Sequence, residues 1–183
     1  MTRKLWLCAT VLVCTGAWAA GKEPAPGQLE GFAVPGEQPV KAELIAEHAS
    51  VRPGGSTRIG VHFELEEGWH IYYKDPGDAG LPTQIAWSAP FGSFGPLEWP
   101  TPQEFLDPGD VRTSGYEGLL VLTSRYTIPA LWDKSPPNPT PITAIVKWLA
   151  CREICIPGAA DLELMLPISE TTPVFSTHAQ LFE

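Results

Sequence analysis

Basic residues are scarce in this sequence, with 12 Lys and Arg against 21 Asp and Glu for a formal net charge of −9. Nucleic-acid binding demands a basic footprint to neutralise phosphates, so that class is excluded. Long apolar runs are absent too. The longest, from Leu5 to Val13, falls short of the roughly 20 residues needed to span a bilayer. Stretches free of proline are few, because 20 prolines are scattered among 183 residues. Each removes a backbone donor and clashes with the preceding helical turn, which excludes an all-helical bundle. Cysteine is sparse, at four in the whole chain.

The N-terminus accounts for two of those cysteines. Arg3 and Lys4, the apolar run and Ala17-Trp18-Ala19 form the three parts of a secretory signal, with cleavage expected after Ala19. Val13 is too bulky for the small residue that precedes a lipidated cysteine, so Cys14 is not read as an anchor. Cleavage removes Arg3, Lys4, Cys8 and Cys14, leaving ten basic against 21 acidic residues, a net charge of −11. Only Cys151 and Cys155 then remain, in a compartment where disulfides persist.

Residues 20–38 are rich in Pro, Gly and Glu and read as a flexible leader. From Val40 the dominant hydrophobic period is two. Ile59, Val61, Phe63 and Leu65 alternate with Arg58, Gly60, His62 and Glu64, as do Leu162, Leu164 and Leu166 with their neighbours. Further strands are expected at 40–48, 69–74, 83–88, 118–128 and 142–150, separated by turn clusters such as Asp75-Pro76-Gly77-Asp78 and Asp107-Pro108-Gly109-Asp110. About seven short strands without a helical period predict an all-β, antiparallel β-sandwich over 39–168. A weakly patterned tail, 169–183, is expected to fray or extend beyond it.

The chemistry is concentrated in Trp148-Leu149-Ala150-Cys151-Arg152-Glu153-Ile154-Cys155-Ile156-Pro157-Gly158. On one extended strand the two cysteines would stand roughly 13 Å apart, beyond disulfide reach, so pairing requires the chain to bend through Arg152, Glu153 and Ile154. A Pro-Gly turn is expected after Cys155. Closing so short a loop is worth about 2 kcal/mol in the chain-entropy model, which makes a static staple a weak use of the pair. Strained, exposed disulfides are the exchangeable ones, so redox or metal chemistry is favoured. Arg152 favours a thiolate and Glu153 opposes it.

Three separated segments carry a resemblance. Gly68-Trp69-His70-Ile71-Tyr72-Tyr73-Lys74-Asp75-Pro76-Gly77-Asp78-Ala79-Gly80-Leu81-Pro82, Gly115-Tyr116-Glu117-Gly118 and the cysteine segment are similar to the N-terminal periplasmic domain of the DsbD thiol:disulfide interchange family, in the branch of the suppressor of copper sensitivity protein ScsB. The resemblance spans Val40 to Ile168. It implies an immunoglobulin-like domain that passes reducing equivalents from a thioredoxin-like or membrane-embedded donor to periplasmic disulfide-bearing acceptors. It also implies Cys155 as the cysteine that forms mixed disulfides, Cys151 as its resolving partner, and a covering loop near Asp107 to Gly115. Asp110, Tyr116, Arg152 and Glu153 are the expected lining residues, and no cofactor is expected. The best-known members have a longer stretch between their cysteines. Full-length members also continue into a membrane domain, which the sequence to Glu183 lacks; a freestanding carrier or a domain with a separately encoded membrane partner is therefore expected.

Two rival readings use the same pair. Two soft thiolates suit Cu(I), making Cys151 and Cys155 candidate copper ligands in a copper-tolerance accessory. Sco-type copper chaperones have a similar spacing, but on a thioredoxin-like fold whose strand–helix alternation is missing here. The other rival is an adhesion or assembly module with a static disulfide. His48, His62, His70 and His178 are read as surface strand or loop residues rather than ligands. Trp69, Tyr72, Tyr73, Trp87, Trp99 and Trp148 are read as packing residues rather than a binding platform. The acidic groups Glu64-Glu66-Glu67 and Asp75-Asp78 lack a calcium-loop spacing and read as solvated surface.

Overall fold

A computed structural model describes residues 39–107, 109–130 and 137–183. The expected signal, 1–19, and leader, 20–38, lie outside the described residues. Among the described residues the elements are β1 (Val40–Ala46), β2 (Ser56–Leu65), β3 (His70–Gly77), β4 (Gln84–Ser88), β5 (Ser93–Phe94), β6 (Gln103–Asp107), β7 (Val111–Glu117), β8 (Leu119–Thr127), β9 (Thr140–Cys151), β10 (Cys155–Leu166) and a 3-10 helix, Ala179–Phe182. They form two antiparallel sheets. One has the order β1-β2-β8-β5; the other has the order β10-β9-β3-β7-β6, with β4 pairing β9 further along that strand. This is the all-β sandwich that the period-two alternation predicts, in the immunoglobulin-like form that the resemblance implies.

The alternation decides which side chains enter the core. Ile59, Val61 and Phe63 of β2 and Leu122 and Tyr126 of β8 meet Ile142, Ala144, Val146, Trp148 and Ala150 of β9, all buried. Phe63 and Trp148 join the sheets edge to face, with ring centroids 5.8 Å apart. The aromatic residues read as packing do pack: Trp69 and Tyr72 are buried, Tyr73 and Trp99 meet edge to face at 5.3 Å, and Trp87 stacks on Phe94 at 5.6 Å.

Four local expectations are corrected. β5, β6 and β7 are strands that the sequence pattern does not reveal. No turn follows Cys155, because β10 runs through Pro157 and Gly158 without a break in register. The strand lies at the edge of its sheet, where the missing proline N–H costs no ladder bond. Gly158 has its own reason. It pairs with Trp148, and a Cβ there would lie 2.3 Å from two indole atoms.

The tail does not fray. The Ala49 and Ser176 amides bond to Val174 and Glu47 carbonyls, and Phe182 is buried over Gly60 of β2. Arg58 holds that arrangement by donating to the Phe182 carbonyl through Nη1 and to both Glu47 carboxylate oxygens, at 3.1 and 2.8 Å. The Arg58 guanidinium keeps the Glu47 carboxyl below its usual value. The fourth correction concerns histidine: His62 and His70 are buried rather than surface residues. Each lies on the outward face of its strand, but that face is covered. Half-buried His48 stacks on Phe175 at 5.0 Å, and His178 precedes the 3-10 helix.

Candidate functional site

The β9–β10 hairpin supplies the bend that the cysteine spacing requires. Cys151 ends one strand, Cys155 begins the next, and Arg152, Glu153 and Ile154 form the connection. The two cysteines are direct antiparallel partners with Cα atoms 4.1 Å apart, and they form a disulfide. The Arg152 amide closes the turn by donating to the Ile154 carbonyl at 3.0 Å. The sulfur-bearing residues are unequal in exposure: Cys151 is 3 % exposed, whereas Cys155 is open to solvent on an edge strand.

Strand register extends the site across the sheet. Cys155 pairs with Cys151, Cys151 with His70 of β3, and His70 with Glu117 of β7. Directly paired residues in antiparallel strands present their side chains to the same face. Cys155, Cys151, His70 and Glu117 therefore form one row on the outer face. The adjacent row, Ile156, Ala150, Ile71 and Tyr116, faces the sandwich core. His70 is 5 % exposed, stacked on Phe105 at 4.6 Å and met edge to face by Tyr72 at 5.1 Å.

The segment 68–82 builds the surroundings of that row. Trp69 and Ile71 enter the core while His70 and Tyr72 take the other face. The chain then curls back over Tyr72: Thr83 donates to the Tyr72 carbonyl through both its amide and its hydroxyl, at 3.3 and 3.0 Å. A Cβ at Gly80 would lie 2.4 Å from the Tyr72 ring, so only glycine lets the loop settle there. Tyr72 is thereby held against the imidazole.

The expected lining residues separate. Arg152 sits with its guanidinium 5.0 Å from the centre of the Trp69 ring, capping the end of the core. Glu153 is exposed at the hairpin tip beside Ile154, which is 64 % exposed. Tyr116 lies in the inward row, its hydroxyl donating to the Pro100 carbonyl at 2.8 Å, and burial pushes its phenol far above the usual tyrosine value. Asp110, with φ of 62°, is in the β6–β7 turn. That turn lies about 20 Å from Glu117 along β7, since each strand residue advances roughly 3.3 Å. The hairpin spanning the expected covering loop meets the site through Phe105, which precedes that segment.

His70, Glu117 and Phe105 are site residues to which sequence reasoning gives no site role. No local signal marks them, because pairing across strands brings His70 to Cys151 from 81 positions away. Among the described residues, no group of three or more His, Cys, Asp or Glu side chains is arranged to hold a metal ion, so the copper reading rests on the two sulfurs alone. A surface cleft of about 530 Å³ is lined by Arg58 and His62 of β2, Phe182, and Tyr116 and Glu117 of β7 among others, and has no cysteine in its wall.

With this geometry in view, the relatives are informative. The model of the family described as thiol:disulfide interchange protein DsbD, N-terminal, matches residues 37–167. The fold is similar to the N-terminal periplasmic domain of ScsB from Proteus mirabilis, at 19 % identity and a TM-score of 0.58, covering 84 % of this chain and 55 % of that one. This chain thus spans little more than half the length of that structure. The reduced N-terminal domain of Neisseria meningitidis DsbD matches at 15 % identity and a TM-score of 0.41, over 72 % of this chain and 89 % of that one. No curated protein matches the chain significantly. The family match takes in every strand and both cysteines, and the chain belongs to the family of DsbD N-terminal domains, a family of thiol:disulfide interchange domains.

Proposed function

We propose that this domain exchanges dithiol and disulfide states with periplasmic proteins, with Cys155 as the attacking thiol and Cys151 as the resolving one. The observation that carries the reading is the unequal exposure of the pair: Cys155 is accessible on an edge strand and Cys151 is 3 % exposed behind it. In the reduced domain, the Cys155 thiolate attacks an acceptor disulfide. A mixed disulfide forms and the other acceptor sulfur leaves as a thiolate that takes a proton. Cys151, deprotonated, then attacks Cys155 Sγ. The intramolecular disulfide closes and the second acceptor sulfur leaves, also to be protonated. Two electrons and two protons pass to the acceptor, and reversal of these steps recharges the domain from a thioredoxin-like or membrane-embedded donor.

The edge position supports the role, since a partner chain reaches Cys155 without displacing a neighbouring strand. The periplasmic location is supported by the family, by the ScsB likeness and by the signal pattern at the N-terminus. Among the described residues, no helix is long and apolar enough to cross a membrane. A purely structural bond is a poor alternative, because a loop this short contributes only about 2 kcal/mol through chain entropy.

Trapping tests the assignment. In periplasmic extract, Cys151→Ser accumulates mixed disulfides through Cys155, and Cys155→Ser traps few. Equal absence of adducts from both variants refutes exchange, and adducts mainly on Cys155→Ser reverse the two roles. A redox titration separates the static bond, whose potential would lie well below about −300 mV.

A further inference from the structure

Resting on the exchange reading above, we propose that His70 is the proton acceptor for the resolving thiol, taking up the Cys151 proton as Cys151 attacks Cys155. Cys151 and His70 are direct cross-strand partners on the same face of the sheet, 3 % and 5 % exposed. Paired side chains of this kind have Cβ atoms about 5 Å apart, which sets the imidazole and the Cys151 side chain next to each other in the row. A thiol buried this deeply holds its proton more tightly than an exposed one, so the resolving step needs a nearby base.

The environment narrows the choice. From β9 the titratable group facing His70 is Cys151; from β7 it is Glu117, the opposite partner in the row; on β3 itself it is Tyr72. From β6 the ring of Phe105 stacks on the imidazole. Arg152 is committed to Trp69 at the end of the core, on the side of the inward row. Imidazole is the group in this set whose ordinary titration range lies close to neutrality. Stacking on Phe105 and contact with Tyr72 fix the ring plane.

The resolving step balances without an added reagent. The Cys151 S–H bond breaks and its proton passes to His70. The thiolate forms a bond to Cys155 Sγ, and the bond from Cys155 to the acceptor sulfur breaks. The departing thiolate recovers a proton from the imidazolium or from water. His70 thus acts on the second half of the exchange and has no part in the first attack by Cys155.

The test separates the two halves. The reduced domain is mixed with one equivalent of 4,4′-dithiodipyridine, and thiopyridone release is followed by stopped flow. Attack by Cys155 releases the first thiopyridone and closure by Cys151 releases the second. In His70→Gln, the first phase keeps its rate and the second slows by ~10²-fold, in line with the usual gain from a positioned base. In the wild-type domain, the second-phase rate rises through the imidazole range and levels off; in the variant it climbs on beyond that range, as the buried thiol itself ionises. An unchanged second phase and pH profile in His70→Gln overturn the proposal. Equal slowing of both phases overturns it as well, since that marks a structural role. If His70→Gln does not fold, the wild-type profile decides, and a second phase without a break in the imidazole range overturns the proposal. Failure of the exchange reading is distinguishable, because it shows in the trapping experiment, where neither cysteine variant accumulates adducts. A merely structural pair still closes on this small disulfide and gives both releases.

Discussion

Gly158→Ala adds one methyl group to the strand that carries Cys155. Its Cβ would lie 2.3 Å from Trp148 Nε1 and Cε2, about 1 Å short of the 3.4 Å at which ordinary contact begins. The indole has little room to yield: Trp148 is 8 % exposed, and its edge-to-face contact with Phe63 ties it to the other sheet. Two responses are open. Expelling the ring forfeits most of its burial, roughly 200 Å² at about 25 cal/mol per Å², or about 5 kcal/mol. Shifting the ring and β10 within a strained core costs roughly 1–3 kcal/mol. The cheaper response prevails, so the expected loss is about 2 kcal/mol. In urea unfolding followed by tryptophan fluorescence, with a slope of about 2 kcal/mol per molar, the midpoint falls by about 1 M. In a Trp148→Leu background the same substitution is nearly neutral, giving a coupling of about 2 kcal/mol. A midpoint within about 0.25 M of wild type, or an equal loss in both backgrounds, would show that the Trp148 ring does not select glycine here.

Two further outcomes follow from the docked tail. Glu47→Gln removes the carboxylate that receives two Arg58 hydrogen bonds and lowers stability at neutral pH by about 1–2 kcal/mol. Because Arg58 depresses the Glu47 value in the fold, that contribution is complete above the ordinary 4.5 and drains away as pH falls through the lower folded value. Wild-type and variant unfolding curves should therefore converge in acid; a gap that persists there refutes the ion-pair account. Phe182→Ala empties the site over Gly60 and costs roughly 3 kcal/mol. Hydrogen exchange should speed at the Ala49 and Ser176 amides, and unchanged protection there would mean that the tail is held by something else.

The parts of the fold legible in the sequence are those where one face is apolar and the other is not. β2 reads clearly because Ile59, Val61 and Phe63 go in while Arg58 and Glu64 go out. β7 reads as a loop although it lies between β3 and β6, because Tyr116 is the main apolar residue on its inward face and Arg112, Thr113, Ser114 and Gly115 carry no strand signature. β6 fails similarly, with Phe105 flanked by Gln103 and Glu104. Pro157-Gly158 imitates a turn because sequence alone does not reveal that β10 is an edge strand, nor that an indole fills the space where a side chain would go. The tail shows no period since Phe182 is its one deeply buried side chain and the rest is held through backbone bonds and Arg58. At the site, the bend between Cys151 and Cys155 is legible because the reach of a disulfide forbids an extended chain. The third member of the row is not, because strand register determines which distant residue faces Cys151.

That register also explains why the chemistry sits where it does. A residue on β9 has a core-facing neighbour on either side in sequence, so the packing that places Ala150 against Ile71 and Tyr116 also determines what Cys151 faces on the outer side. A slip of one residue between β9 and β3 would move every apolar side chain of those strands to the wrong face, at a cost far beyond the marginal stability of a domain. The pairing of Cys151 with His70 is therefore enforced by the core, with no need for a bond between the two side chains. Cys155 differs because β10 has a partner on one side only. Its inner edge aligns it with Cys151, and its outer edge is open to another protein. One strand order thus supplies both demands of the proposed exchange, a fixed sulfur at Cys151 and an accessible one at Cys155.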